Sequence, residues 1–300
     1  MTQLPDTSRP DVEAFFDPVT NTVSYLVSEP GPADTRRAAA IIDPVLDYDH
    51  AGGRYHTTSA DALLDAARAR NLDITWILET HAHADHLSAA PYLKDRTGAR
   101  VGIGEHITDV QTIFAPLFDA SDVSRTGAEF DHLFTDGETF RIGTLEASVI
   151  HTPGHTPACV SYLIGDAVFV GDTLFMPDYG TARADFPGGD AHTLYRSIQR
   201  LLALPGDTRI FVCHDYLPDT GRTDHAWQTT VDAQRAGNIH VHEGVAEESF
   251  VDMRTGRDRG LPAPKLLLPS VQVNIRAGHL PPESANGTIY LKIPVRPAGA

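Results

Sequence analysis

The chain has 300 residues, and 24 Lys and Arg against 40 Asp and Glu give a formal charge of −16 with 15 His left to titrate. A hydrophobic share of 41% with 21% charged residues is ordinary globular composition and supplies a sizeable core, while apolar runs far shorter than about 20 residues exclude a membrane-spanning helix. The acidic balance also excludes non-specific attraction to nucleic acid or anionic membrane, which needs clustered Lys and Arg.

In chain order, the opening MTQLPDTSRPDVEAFFD lacks both a charged start followed by an apolar stretch and an Arg-rich, acid-poor leader, so a cytoplasmic location is expected. Residues 22–27 (TVSYLV) and 38–42 (AAAII) are short, apolar or β-branched and bounded by Pro, Gly or Asp. They predict two strands joined by a hairpin around residues 30–34. Ser59 ahead of ADALLDAARAR predicts a capped helix to about Arg70, with Asp61 at its positive end. Residues 74–78 (ITWIL) predict a strand that runs straight into a polar cluster, followed by a helix from about Leu87 until Gly98 stops it. Four more strands, at 139–142, 145–150, 159–164 and 167–170, predict a β-meander. A helix over 192–204, with Leu194, Ile198 and Leu201 on one face, precedes a buried strand at 210–213 that ends at His214. A helix from about Thr223 to Gly237 comes next. The Pro-rich residues 261–300 carry two β-like runs, at 271–275 and 289–293. The expected organisation is a catalytic unit over residues 1–260, with residues 261–300 packed on it or at a subunit contact. VGIGEHI at 101–107 lacks the third Gly of a dinucleotide fingerprint.

The chemistry concentrates in four separated segments: His81, His83, Asp85 and His86 in HAHADH, His155 in HTPGHT, Asp172 in VGDT and His214 in CHDY. Each follows an apolar strand, so a sheet that packs those strands side by side brings all seven side chains to one edge. Imidazole nitrogen and carboxylate oxygen suit Zn or Fe, and a set of this size holds one metal or two.

These residues resemble the metallo-β-lactamase superfamily, whose HxHxDH signature stands unbroken at His81–His86, with its downstream His, Asp and His matched by His155, Asp172 and His214. Within it, HTPGHTPACVSYLIGDAVFVGDTLF from His151, then ARADF, TLYRSI, LPGDT and HDY, resemble the persulfide dioxygenase branch over roughly residues 13–240. The resemblance implies an α/β fold, the αββα sandwich of two mixed sheets faced by helices. It implies one Fe(II) per subunit held by His81, His155 and Asp172, with His83, Asp85, His86 and His214 tuning the site. Arg183 and Tyr216 match the branch's glutathione-binding residues, and an Arg fork suits a carboxylate. The implied reaction joins glutathione persulfide and O2 to give sulfite and glutathione. A homodimer is a family-level expectation, and a separate sulfurtransferase would supply the persulfide where none is fused. In the superfamily's dizinc hydrolases of thioesters or lactones, by contrast, His83 joins the first metal and Asp85, His86 and His214 hold a second with bridging Asp172. The ligand set alone leaves both open, as it does a metal-dependent binding module without turnover.

Other residues have plainer readings. Cys159 and Cys213 lie in apolar runs and are expected in the core of a reducing-compartment protein. Asp43 either hydrogen-bonds near the site or is a turn residue before Pro44, and is not counted among the site residues; His151 either touches substrate or ends a strand. His240 and His242 form a second HxH pair that no Asp continues, so a solvated strand is expected there. Arg222 and Lys265 read as isolated surface charges.

Overall fold

The computed structural model describes residues 9–219, 221–295 and 297; of the opening segment and the Pro-rich tail, residues 1–8 and 298–300 lie outside them. The first half runs β1 (Asp11–Asp17), β2 (Thr22–Ser28), β3 (Arg37–Ile42), β4 (Val45–Asp49), β5 (Arg54–His56), α1 (Thr58–Ala69), β6 (Leu72–Leu78), β7 (Leu87–Ser88), α2 (Ala90–Thr97), β8 (Arg100–Gly104), α3 (Ile107–Leu117) and β9 (His132–Phe134). The second runs β10 (Thr139–Ile142), β11 (Leu145–His151), β12 (Val160–Ile164), β13 (Ala167–Phe169), α4 (Ala191–Leu202), β14 (Arg209–Phe211), β15 (Gln228–Thr230), α5 (Val231–Gly237), α6 (Glu247–Asp258) and α7 (Leu267–Asn274).

Two six-stranded sheets result, ordered β1-β2-β3-β6-β8-β9 and β10-β11-β12-β13-β14-β15, with a small β5-β4-β7 sheet beside them. Both are mixed: β1 to β3 pair antiparallel and β3, β6, β8 and β9 parallel, while β13 and β14 are the parallel pair of the second sheet. The predicted hairpin between residues 22–27 and 38–42 is the β2–β3 pair, and the predicted meander is β10 to β13. Alternation puts one side of each sheet into a shared layer, where Val23, Tyr25, Ile42, Leu78 and Phe134 meet Val149, Tyr162, Phe169 and Phe211. The outer face of the first sheet packs on α1, α2, α3 and α7 through Leu63, Leu93, Val110 and Val273. That of the second packs on α4, α5 and α6 through Leu194, Ile198, Val231 and Phe250. The layers are therefore α, β, β, α. Each fully buried Leu, Ile or Phe contributes about 1.5–3 kcal/mol, so three contiguous cores give the frame on which loops at one edge can be held still.

Several local expectations are corrected. Ser59 is inside α1 and does not cap it; its amide and hydroxyl donate to Asp47 of β4 at 3.0 and 2.7 Å, so an acid from another element does the capping. Leu87 and Ser88 pair with β4, and the helix starts at Ala90, where Pro91 suits a first turn, and stops at Gly98 (φ +73°) as read. The helix predicted from Thr223 shrinks to α5, because Gln228–Thr230 pairs with β14 and Thr230 Oγ1 then accepts from Ala233 N. Residues 271–275 belong to the end of a helix, with Gln272 and Asn274 turned inward to protein partners, and residues 289–293 form no strand. No helix among the described residues is long and apolar enough to cross a membrane.

Candidate metal centre

Four strand ends converge as expected, but from two sheets and not one: β6 belongs to the first, and β11, β13 and β14 belong to the second. His81, His83, Asp85 and His86 follow β6, His155 follows β11, Asp172 follows β13 and His214 follows β14. Asp172 is the hub: its Oδ2 lies 3.5 Å from His155 Nε2 and 4.0 Å from His81 Nε2, and its Oδ1 lies 3.3 Å from His214 Nε2. His214 Nε2 is also 3.3 Å from Asp85 Oδ2. His81, His83, His86 and His214 are at most 1% exposed.

The hydrogen bonds behind these side chains decide which nitrogen faces the centre. Thr80 Oγ1 donates to Asp43 Oδ2 at 2.9 Å, so it accepts from His81 Nδ1 at 3.0 Å and leaves His81 Nε2 without a proton. His83 Nε2 donates to Asp43 Oδ1 at 3.0 Å, leaving Nδ1. His155 Nδ1 donates to the Arg183 carbonyl at 2.8 Å and His214 Nδ1 to the Asn21 carbonyl at 3.2 Å, leaving each Nε2. The nitrogens so exposed on His81, His83 and His214, with His86 Nε2 and Asp172 Oδ1, are buried and have no aligned hydrogen-bond partner. One such orphan costs about 1–3 kcal/mol. Five facing one another form a donor set for a cation, with each imidazole held by an outer partner as metal-bound histidines are.

Electrostatics agree for His81 and His83, whereas at His214 burial is outweighed by the charges of Asp85 and Asp172, which raise the pKa. Burial, then the charge of neighbouring imidazoles, pushes His81 and His83 well below the ordinary histidine value, which keeps them in the neutral, ligating form. Burial raises the Asp85 carboxyl, but His214 and His86 outweigh it and hold it well below the usual carboxylate range. Behind them, burial, with Asp43 alongside, holds Glu79 well above that range, so it sits as a neutral acid accepting from Ser88 Oγ.

Ligand atoms within 4.8 Å of one another form distinct groups. His81, His155 and Asp172 make one. His83 groups instead with Asp85 and His86, with Asp43 and Glu79, and with Cys213 and His214.

Two cavities reach this centre. One of about 380 Å3 touches His155, Asp172 and Arg183; the other, of about 760 Å3, touches Asp85 and His86. Tyr216 lines both, its ring 5.6 Å from that of His214. The Arg183 guanidinium is occupied by a two-point pair with Asp185 (2.6 and 2.8 Å) and by the Pro262 carbonyl at 2.7 Å.

Two residues outside the sequence-derived set matter. Asp43, readable from sequence as a turn residue or as a hydrogen-bond partner near the site, is buried at the base of the ligand loop, where it accepts from Thr80 N, Thr80 Oγ1 and His83; the HxH spacing announces His83 but not the acid 40 positions away that orients it. Asn274 of α7 donates to the carbonyls of both His83 and His86 at 2.8 Å, which no local motif signals. Cys159 and Cys213 are buried as expected, the Cys159 thiol pushed up to about 12 mainly by burial. His151 donates to the Pro157 carbonyl from a half-buried position. Arg222 is no isolated charge, because it clasps Asp178 and Asp215 together.

His240 corrects the solvated-strand reading. It lies in a turn, 8% exposed, and accepts from Thr181 N at 3.1 Å. Burial first, then Arg254 and Arg257, lowers its pKa to about 4. The unfolded chain then binds the proton that the folded chain refuses, so stability falls as pH drops from about 6.5 to about 4. His240→Asn, which keeps an acceptor, is expected to flatten that part of the stability curve in chemical denaturation; an unchanged slope would contradict it.

Gly154 places His155. Its φ of +135° is open only to Gly, and an added Cβ would enter the backbone of Leu194 on α4. Gly154→Ala is expected to cost about 3 kcal/mol of stability and to lower metal occupancy; denaturation and metal analysis check both.

A family-level sequence model described as the metallo-beta-lactamase superfamily matches residues 17–214. The chain is 52% identical, over 95% of its length and 98% of the relative's, to a probable metallo-hydrolase of Burkholderia pseudomallei, and 51% identical, over 86% and 89%, to glyoxylase B2 of Dictyostelium discoideum. It spans only 65% of the length of three other bacterial relatives that it matches at 49–51% identity. It is 30% identical, over 88% and 87%, to the human mitochondrial persulfide dioxygenase ETHE1. Among solved structures, that of ETHE1 from Myxococcus xanthus aligns with a TM-score of 0.70 and 30% identity, covering 90% of this chain and all of that one.

Proposed function

The chain belongs to the metallo-β-lactamase superfamily, and from that premise we propose that it is a mononuclear Fe(II) persulfide dioxygenase acting on glutathione persulfide. The observation that carries the proposal is the ligand grouping: two imidazoles and one carboxylate, His81, His155 and Asp172, stand together without His83. Such a two-His, one-carboxylate set suits Fe(II), which when bound supplies open positions for an anionic sulfur and for dioxygen. The balance is one persulfide, one O2 and one water to one thiol, one sulfite and two protons.

The chain's own residues do the rest. Asp43 and Thr80 fix the His81 ring, and the Arg183 carbonyl fixes His155. Phe186 packs edge-on against His155, and Phe175 against both His214 and Tyr216, so apolar walls limit water beside the reacting sulfur. His214 and Asp85, 3.3 Å apart, provide a polar face on the other side of Asp172.

A second reading, a dizinc hydrolase of thioesters or lactones, is supported by the relatives' names. Metallo-hydrolase and glyoxylase stand at 52% and 51% identity against 30% for persulfide dioxygenase, and on that comparison the hydrolase is the better supported of the two. The further donors that a dizinc site calls for, His83 at the first metal and Asp85, His86 and His214 at a second, are also present.

The test is oxygen uptake by Fe(II)-loaded protein given fresh glutathione persulfide, with sulfite assayed in the same sample, beside a zinc-loaded sample given S-lactoylglutathione and an acyl-homoserine lactone. Persulfide-dependent uptake matched by sulfite is expected; no uptake, with oxygen-independent hydrolysis by the zinc form, would establish the hydrolase instead.

A further inference from the structure

The walls of the two cavities differ in charge. They share Asp85, Tyr216, Pro264 and Lys265; the larger is otherwise lined by Asp17, Asp47 and Asp49 and by no further Arg or Lys, the smaller by Asp172 together with Arg183, Arg254 and Arg257. Two of those cations are committed. Arg183 is paired with Asp185 and tied to the carbonyls of Leu261 and Pro262. Arg254 is buried, paired with Asp258 at 2.6 Å and bonded to the Thr181 carbonyl. Arg257, near the end of α6, and Lys265, on the segment leading to α7, are exposed, and neither side chain makes a hydrogen bond or ion pair with another described residue. Arg257 lines this cavity together with Tyr179 and His240.

We infer that Arg257 and Lys265 are specificity-determining residues that hold the carboxylates of the thiol carrier in the 380 Å3 cavity, its sulfur end turned toward His155 and Asp172. The volume is that of a small-molecule site, about 300–1,000 Å3. A carboxylate entering the larger cavity meets Asp17, Asp47 and Asp49 with Lys265 as its one Lys or Arg; one entering the smaller meets Arg257 and Lys265 together, neither with an internal partner to give up. Arg183 then anchors the backbone of residues 261–262, and with it the segment that presents Lys265, and does not grip the carrier itself. The inference rests on the proposed reaction only in taking the substrate to be a thiol-derived anion, since a persulfide and a thioester of glutathione would be gripped alike.

The test is calorimetric titration of metal-loaded protein with S-methylglutathione, whose capped sulfur does not react. Arg257→Gln and Lys265→Gln are each expected to raise Kd about tenfold, as loss of a charge-assisted hydrogen bond does. The diethyl ester of S-methylglutathione is expected to bind wild type as weakly as the acid binds the double variant. Arg36→Gln, which removes an equal charge from an exposed pair with Asp73, should leave Kd unchanged. Wild-type binding that both cavity substitutions leave within twofold overturns the inference, and so does absence of binding to wild type. The reaction is judged separately, by persulfide-dependent oxygen uptake in wild type. With turnover intact, the same variants should show a raised KM for the persulfide with kcat retained, and an unchanged KM counts against them.

Discussion

Asp172→Ala is expected to strip most of the iron from the protein and to lower kcat/KM by more than about 100-fold, since even partners that merely orient a ligand cost 10–100-fold when removed. Asp172 joins the two sides of the centre: its two oxygens face His81 and His155 on one side and His214 on the other. Its loss leaves His81 and His155 without the one carboxylate of their group. Asp85→Ala is the informative companion, because Asp85 stands on the His86 and His214 side and outside the His81, His155, Asp172 group. If that triad is the whole metal site, Asp85→Ala retains one iron per chain with reduced turnover; if two metals are required, it loses half the metal. An Asp172→Ala protein with full iron and full turnover would refute the ligand role.

Asp43→Ala is expected to be nearly as damaging although Asp43 faces no substrate. One 2%-exposed carboxylate accepts from Thr80 N at 2.7 Å, Thr80 Oγ1 at 2.9 Å and His83 Nε2 at 3.0 Å. Removing it leaves three buried donors unpaired and frees the Thr80 hydroxyl on which the His81 ring rests. A stability loss of about 3–5 kcal/mol is expected, since each buried donor left unpaired costs about 1–3 kcal/mol, with metal affinity lowered 10–100-fold. Its φ of +48° is one that Asp and Asn tolerate, so Asp43→Asn keeps the turn while losing the charge and should fall between wild type and Ala. Denaturant titration and competition with a metal chelator read the two effects. Wild-type metal affinity in Asp43→Ala would contradict the positioning role.

What the sequence revealed was decided by where the informative spacing is local. Strand runs such as ITWIL end directly in their polar residues, so the convergence of His81, His155, Asp172 and His214 could be inferred from four strand ends, although on one sheet; that the strands divide between two sheets came from the resemblance to the superfamily. The alternation in VQVNI misled, because reading it as a strand assumes that Gln272 and Asn274 face water. Both are buried, Gln272 bonded to the Leu268 and Lys292 carbonyls and Asn274 to those of His83 and His86. Asn274 and Asp43 reach the metal loop from 191 and 40 positions away from His83, and no periodicity encodes that. Arg183 was legible as a cation near the site, but its commitment to Asp185 depends on a two-residue geometry that composition does not announce.

The central claim is that His81, His155 and Asp172 form a one-metal site. It is tested most directly by adding Fe(II) in steps to metal-free protein under argon and measuring persulfide-dependent oxygen uptake at each ratio. Uptake that rises linearly and saturates at one iron per chain is the predicted result; saturation only at two metals per chain, or no uptake at any ratio, would contradict it.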